Sequence, residues 1–422
     1  VKVAVVGAGV AGLAAALCLR ERGLACEVVE AVPHAGGLFA LVSFHGVPCD
    51  RGSHRVHDDA WRSLPGALRS LVWHRVVRRG VLVLDGRHAR YPIALPELTR
   101  ALGWRGVAAS ARDYLTRRPP PTDSSDEGFE AYVTSRVGHA AYERLYRPYA
   151  EKVWGLDPRD LSRSVGRQRL SSASPLRALL GALAPQRFWY PRDGMSALVD
   201  GLLAACARAD VAVRYGVAVT DRAALDADRV LYTGSLGALA DEARLTHRGL
   251  YLVHLALPPG SLGDVDTWYV PDARYWFGRA SQPARFSPAL ATREEVLAVE
   301  IPEGRWGEGM DFTARLDELL AQLRDAGIVR GRAAPTAVQQ TFVRGVYPLY
   351  RRGWRAVWRA AMARVRAMGD VWPAGRQGLF LHCNLDHAIA TGRDAAAHLA
   401  NGSGAGAWVE GCERYLDLRV RD

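Results

Sequence analysis

The opening stretch, VKVAVVGAGVAGLAAALCLRERGLACEVVE, restricts the fold of this chain more than any other. Val1 to Val6 is a near-continuous apolar run, the pattern of a buried parallel strand. It leads directly into Gly7, Gly9 and Gly12, a G-x-G-x-x-G spacing that opens a helix. Gly7 allows the tight turn, Gly9 lets backbone approach a pyrophosphate, and Gly12 lets the helix lie close to the sheet. The phosphate then rests on the helix N-terminus, where unpaired N–H groups and the dipole favour an anion. Leu13 to Arg22 continues the helix, Gly23 ends it, and a second strand from Ala25 to Val29 closes on Glu30, an acid placed to accept ribose hydroxyls. Strand, glycines, helix, strand and acid in that order predict a Rossmann-type dinucleotide-binding unit.

The residues after Glu30 decide between FAD and NAD(P). The segment AVPHAGGLF carries a second diglycine, Gly36-Gly37, which suits a loop passing close to a cofactor's pyrophosphate and ribityl chain. This E-x5-GG pattern resembles FAD flavoproteins of the glutathione-reductase and amine-oxidase type, and FAD is the expected cofactor.

A length of 422 residues suits two or three domains. No uncharged apolar run reaches about 18 residues, so no membrane span is expected. With the first core strand starting at Val1, no targeting peptide is expected, and the missing Met is read as processing or a non-ATG start. The six scattered cysteines form no CxxC pair and read as free thiols in a reducing cytoplasm. The net charge of +11 is almost all arginine, since Lys2 and Lys152 are the only lysines. Without zinc-ligand spacing or an RNA-binding signature, that charge points to a phosphorylated small molecule rather than nucleic acid.

Along the chain, Leu38 to Phe44 reads as a strand, and the loop VPCDRGSHRVH should lie near the isoalloxazine. Asp85-Gly86 between two apolar runs predicts a two-residue hairpin beginning a second sheet. Residues 94–117 look helical, Pro119 to Pro121 break the helix, and Thr122 to Gly128 read as a linker with Ser124 and Glu127 as a cap. Phe129 to Trp154 reads as helical and Gly155 to Leu170 as irregular. FWYPRDG reads as a turn, and Leu379 to Cys383 as a last buried strand before a closing helix from Asp386 to Ala400. The expected architecture is α/β. Residues 1–65, 185–245 and 370–422 form a discontinuous FAD-binding domain, 66–184 a mainly helical substrate or lid segment, and 246–369 an antiparallel-sheet substrate domain.

Four stretches carry the chemistry: Gly52-Ser53-His54-Arg55-Val56-His57, Tyr149-Ala150-Glu151-Lys152-Val153-Trp154-Gly155, Phe277-Gly278-Arg279, and Gly375-Arg376 followed by Asn384-Leu385-Asp386. Together, in this order, they resemble the UDP-galactopyranose mutases and their bacterial flavoprotein relatives, within the amine oxidase and protoporphyrinogen oxidase superfamily. The resemblance implies a mutase of a nucleoside-diphosphate sugar in which N5 of the reduced flavin is the nucleophile. It places Gly52, Ser53, His54 and His57 beside the flavin, Tyr149, Lys152 and Trp154 in the substrate pocket, and Arg279 on the diphosphate. Arg169 matches a diphosphate-binding arginine with a one-residue slip. Arg376, Asn384 and Asp386 belong to the final flavin-facing segment, Val219 to the cofactor strand region, and Tyr347 and His382 to the substrate side. Two departures stand out, because His382 replaces a tyrosine and Asn384 replaces an acid.

The residue chemistry agrees with such roles: arginine offers forked, permanently charged donors to phosphate, and a helix starting near Asn384 would stabilise anionic reduced flavin. Each residue also has a plainer role, the histidines as hydrogen-bonded structural groups, Tyr149 and Trp154 as core aromatics, Lys152 as a surface lysine. Two other functions stay open: an FAD oxidase or dehydrogenase of the amine or protoporphyrinogen oxidase type, and a non-catalytic flavin-bound sensor. A reductase or NAD(P)H is the candidate electron source, no metal is expected, and the oligomeric state is undetermined.

Overall fold

The computed structural model describes residues 1–91, 95–116, 128–169, 186–219, 225–304, 306–332 and 334–420; the side chains at 95–98, 100, 101, 114, 168 and 169 are outside this description. Two sheets organise the chain. The first is a five-stranded parallel sheet in the order Val371–Pro373, Arg229–Tyr232, Val3–Val6, Cys26–Val29, Ala212–Arg214. Its central strand is fully buried at Val3, Ala4 and Val5, as the apolar run requires. The strands come from the start, the middle and the end of the chain, so the Rossmann-type unit is discontinuous.

The second sheet has seven strands, in the order Ala337–Pro348, His247–Leu257, Glu295–Pro302, Arg279–Ser281, Thr267–Tyr269, Gly80–Leu84, Arg87–Tyr91. Neighbours are antiparallel except Thr267–Tyr269 with Gly80–Leu84, which run parallel. The last two strands are the predicted hairpin. Its turn residues Asp85 and Gly86 both have positive φ, 51° and 71°, the geometry that a two-residue type I′ turn demands. The hairpin leaves the helical segment to extend this sheet, which therefore draws on residues 80–91 as well as 246–369.

The first helix, Val10–Glu21, is buried along nearly its whole length between the parallel sheet and the closing helix, Leu385–Ala400. Small residues make that possible. A Cβ on Gly392 would stand 2.3 Å from the Ala11 carbonyl oxygen, and one on Gly12 would stand 2.0 Å from that of Gly7. All six cysteines are free, as expected, and all but Cys26 are buried.

Several local expectations are corrected. Leu379 to Cys383 is not a strand. The edge of the parallel sheet is taken by Val371–Pro373, and the later segment turns back, with Phe380 at φ +53° and the Leu381 N–H donating to the Arg376 carbonyl at 2.7 Å. FWYPRDG is mainly strand: Arg187–Pro191 pairs with Trp73–Val77, and only its end turns. Leu38 to Phe44 begins as a 3-10 turn, Gly37–Phe39, because Gly36 and Gly37 both have positive φ, and becomes a strand only at Val42–Phe44. Within Gly155 to Leu170, Arg163–Arg169 is helical. Pro119 to Pro121 and the Ser124 and Glu127 cap lie outside the described residues.

His254, in the middle of the His247–Leu257 strand, is completely buried 5.6 Å from the Phe44 ring. Neither ring nitrogen has a hydrogen-bond partner among the described residues, and burial pushes its pKa down to about 4.

This packing has two measurable outcomes. Gly392→Ala should cost about 1–3 kcal/mol in urea unfolding, because the crossing helices must separate. Gly404→Ala, whose Cβ would meet no atom within 4 Å, should stay within about 0.5 kcal/mol of wild type. For His254 the unfolded chain binds a proton below about pH 6.5 and the folded chain only near pH 4, so stability drops as pH falls through that window. Between pH 7 and 4.5 the wild type should lose about 2–3 kcal/mol more than His254→Met; equal losses would show that this histidine does not titrate with unfolding.

Candidate active site

A cavity of about 470 Å³ opens where the parallel strands end. Val6 and Gly7, Val29 and Glu30, and Tyr232 and Thr233 line it, and each pair contains the last residue of a strand. Carboxyl ends of parallel strands are where open α/β sheets bind ligands.

The glycines explain what the cavity can accept. Gly7 has φ +102°, and a Cβ there would sit 2.3 Å from Thr233 Oγ1, so the turn itself demands glycine. Gly9 differs. Its φ is −74°, any residue could adopt it, and a Cβ would meet no protein atom within 4 Å. Gly9 instead presents bare backbone to the cavity, the surface a pyrophosphate needs for close approach. The first helix has neither a side-chain cap nor an acid in its first turn, which leaves its positive end toward this space. Glu30 is fixed at the cavity wall, its Oε2 accepting from Ala8 N–H at 2.8 Å and its Oε1 from Val32 N–H at 3.2 Å. Gly36, Gly37 and Val219 also line the cavity, and Gly12 lies behind it in the helix contact. These residues fit an FAD: Glu30 would take the ribose, and the Gly7–Gly9 turn with the helix end would take the pyrophosphate.

The closing helix also aims its N-terminus at the cavity. Asn384 is its N-cap in a reciprocal capping box with His387, and Asn384, Leu385 and Ala388 line the wall. An amide caps a helix as well as a carboxylate does, without adding charge. Asp386, in the first turn, stands outside the lining, with Oδ1 buried and without a hydrogen bond among the described residues. Arg376 is held by donating to the carbonyls of Cys383 at 2.6 Å and Val346 at 2.5 Å.

The second sheet supplies the opposite wall. Arg279 donates from Nε and Nη2 to the two oxygens of Glu300, at 2.9 and 2.7 Å. Ser53 supports the same carboxylate through its N–H and hydroxyl, both at 2.8 Å, and its hydroxyl also meets that of Ser281 at 2.9 Å. Burial alone would raise the Glu300 carboxyl, but Arg279 and Ser53 hold it below its ordinary range, and Arg279 stays charged despite burial. Gly52, at φ +113°, carries the chain past this pair. His54 packs on Phe39 at 4.6 Å, and its Nδ1 is buried without a partner among the described residues. Burial first, then the Arg279 charge, push its pKa down to about 4, so the ring is neutral at pH 7. Tyr149, Tyr347 and His382 complete the wall, with Tyr347 and His382 stacked at 6.0 Å.

Besides Gly12, four of the expected residues stand apart from this lining. Lys152 donates to the carbonyls of Val270, Asp272 and Phe277 at 2.8, 2.5 and 3.0 Å, which ties the Arg147–Trp154 helix to the second sheet. Trp154 is buried, edge-on to Tyr347 and His382 at 5.5 and 6.1 Å, and supports the wall from behind. His57 begins the Asp58–Ser63 helix, where its carbonyl accepts from Trp61 N–H. Asp386 is the fourth. Arg169 ends a short helix, and its side chain lies outside the described residues. Glu300 and Thr233 belong to no motif, and Arg51 lines the cavity from the loop expected beside the flavin. Glu300 had a readable signal, a single acid inside the apolar run VLAVEIP.

The model of the family described as flavin containing amine oxidoreductase matches residues 10–400. Among solved structures, one of reduced UDP-galactopyranose mutase is similar over 100% of both chains, at 17% identity and a TM-score of 0.81. A protein from Exiguobacterium provisionally assigned as a protoporphyrinogen oxidase covers 95% of this chain and 99% of its own, at 17% identity and TM-score 0.74. Cyclohexylamine oxidase from Brevibacterium oxydans has the same coverage at 16% identity and TM-score 0.65. At these identities the likenesses establish the fold, a Rossmann-type unit joined to a second, seven-stranded sheet. The family match establishes membership and implies a flavin cofactor. The chain belongs to the flavin containing amine oxidoreductases.

Proposed function

We propose that this flavoprotein is a mutase of a nucleoside-diphosphate sugar, working with FAD in its reduced form and with no net redox change. The observation that carries the reading is Arg279. Two of its nitrogens are committed to Glu300, and its Nη1 has no hydrogen bond among the described residues, on a cavity wall shared with Tyr149 and Tyr347.

Reduced flavin would supply an electron-rich nitrogen able to displace a leaving group from an anomeric carbon. The residues of the chain account for the rest. Glu300 and Ser53 orient the guanidinium, so Arg279 meets a phosphate oxygen without reorganising as charge develops on the leaving diphosphate. The hydroxyls of Tyr149 and Tyr347 are donors suited to further phosphate oxygens. His54, neutral at pH 7, serves as a hydrogen-bonding group and adds no charge. The two helix N-termini favour an anionic ligand between them. The nucleotide sugar is the proposed substrate and a reductase or NAD(P)H the proposed electron source.

A second reading has its own observation. The stacked Tyr347–His382 pair, backed by Trp154, is an aromatic wall that would suit an amine or ring donating hydride to oxidised FAD. Anaerobic incubation with candidate nucleotide sugars, with and without dithionite, separates the two. Turnover only after chemical reduction supports the mutase, whereas bleaching of oxidised flavin by substrate alone replaces it with the oxidoreductase. Arg279→Lys should weaken UDP binding about 10- to 100-fold by calorimetry, the worth of one charge-assisted hydrogen bond; unchanged affinity would place the diphosphate elsewhere. Gly9→Ala should leave the unfolding midpoint of the apoprotein unchanged while the yellow flavin content of the purified protein falls, and full flavin retention would put the pyrophosphate away from this turn.

A further inference from the structure

The feature of the surface that neither the fold nor the cavity uses is one face of the helix Leu95–Thr116. A kink at Gly103 (φ 68°, ψ 162°) breaks it, and the second part begins at Trp104. Trp104 is 70% exposed and Leu115 82% exposed, the two most exposed large apolar side chains described. At about 100° per residue, Trp104, Ala108, Ala111 and Leu115 fall within about 60° of arc on one side of the helix. All four are exposed. Arg105 and Arg112 lie about 80–100° further around the helix, both exposed, and form one basic flank beside the apolar stripe. Asp113 lies on the opposite side, where its carboxylate accepts from the His139 N–H at 3.0 Å and stands 3.7 Å from Nη2 of the otherwise exposed Arg112. The exposed side of this helix therefore offers tryptophan, leucine and arginine, with its described acid turned inward. Arg117 and Arg118 come next in the sequence, and the whole chain carries +11.

The geometry points to a peripheral docking face for an anionic phospholipid surface, in which Trp104 and Leu115 enter the interface and Arg105 and Arg112 meet lipid phosphates. An apolar stripe bordered by arginine, with an interfacial tryptophan, is the chemistry of a helix lying in a headgroup layer. Charge complementarity selects the anionic lipid, since a second copy of this chain would bring a like-charged flank against Arg105 and Arg112. No described helix is long and apolar enough to cross a membrane, so the contact is with the surface. The inference is independent of the reaction assigned to the cavity.

The test is sedimentation of the full-length flavoprotein with vesicles of phosphatidylglycerol and phosphatidylcholine, and with phosphatidylcholine alone, at low salt and at 0.5 M salt. Binding is expected only to the phosphatidylglycerol vesicles, and to weaken with salt. The double variant Trp104→Ala, Leu115→Ala should bind about tenfold or more weakly. Arg105→Ala with Arg112→Ala should bind about 25-fold more weakly, at roughly fivefold per arginine. Thermal midpoints and flavin content should match wild type in both, because these side chains project from the surface. Equal sedimentation of wild type and variants, or equal binding to neutral vesicles, would overturn the proposal. So would a wild-type dimer that the Trp104→Ala, Leu115→Ala variant converts to monomer.

Discussion

The close crossing of the first and closing helices is the constraint on which the rest of this structure depends. Ala11 and Gly392 meet at the crossing, and a Cβ on Gly375 would press on the Ala11 side chain at 2.8 Å. Larger residues at these points would move one helix N-terminus off the cavity. With glycine there, both helices end at the same wall, and a ligand between them sees two positive backbone ends within one enclosure. The parallel sheet sets the direction of each helix, and the glycines set how near they come.

The charges in the cavity obey a different logic from the charge of the chain. A net +11 suggests a broadly basic pocket, yet many arginines are already committed at the surface, as Arg147 is to Glu143 and Glu151, and Arg359 to Glu413. Arg55 is buried against Asp266 and works for the fold. Arg279 on the seven-stranded sheet is paired as well, but its partner is nearly inaccessible and fixes the guanidinium rather than simply neutralising it. Orientation is the property gained, because a guanidinium held by a carboxylate that a serine in turn fixes has little freedom left to lose when a ligand arrives.

Much of the cofactor side was readable in the sequence, because backbone geometry imposes glycine and geometry leaves a spacing. Gly7, Gly9, Gly36, Gly37 and Glu30 line the cavity, Gly12 lies against the Gly7 carbonyl, and Asp85-Gly86 turns as a two-residue hairpin must. The opposite cavity wall was less readable because its residues belong to different elements that meet only in three dimensions. Glu300 and Ser53 are far apart in sequence and share no motif. Lys152 sits in a distinctive segment, but three backbone carbonyls claim its ammonium. Leu379 to Cys383 has the composition of a strand, and composition could not reveal that Val371–Pro373 already fills the adjoining place in the sheet.

The discontinuity of the parallel sheet bears on how the protein is made. Its central strand, Val3–Val6, is synthesised long before Gly375, Arg376 and Asn384. Contacts of such wide sequence separation form slowly, since the chain between them must first be ordered. The nascent central strand, with its fully apolar residues, must wait for those later residues before the cavity exists to receive a cofactor. The cavity is therefore completed late relative to its central strand, and the apolar segments that await their partners are the ones that chaperones would need to shield.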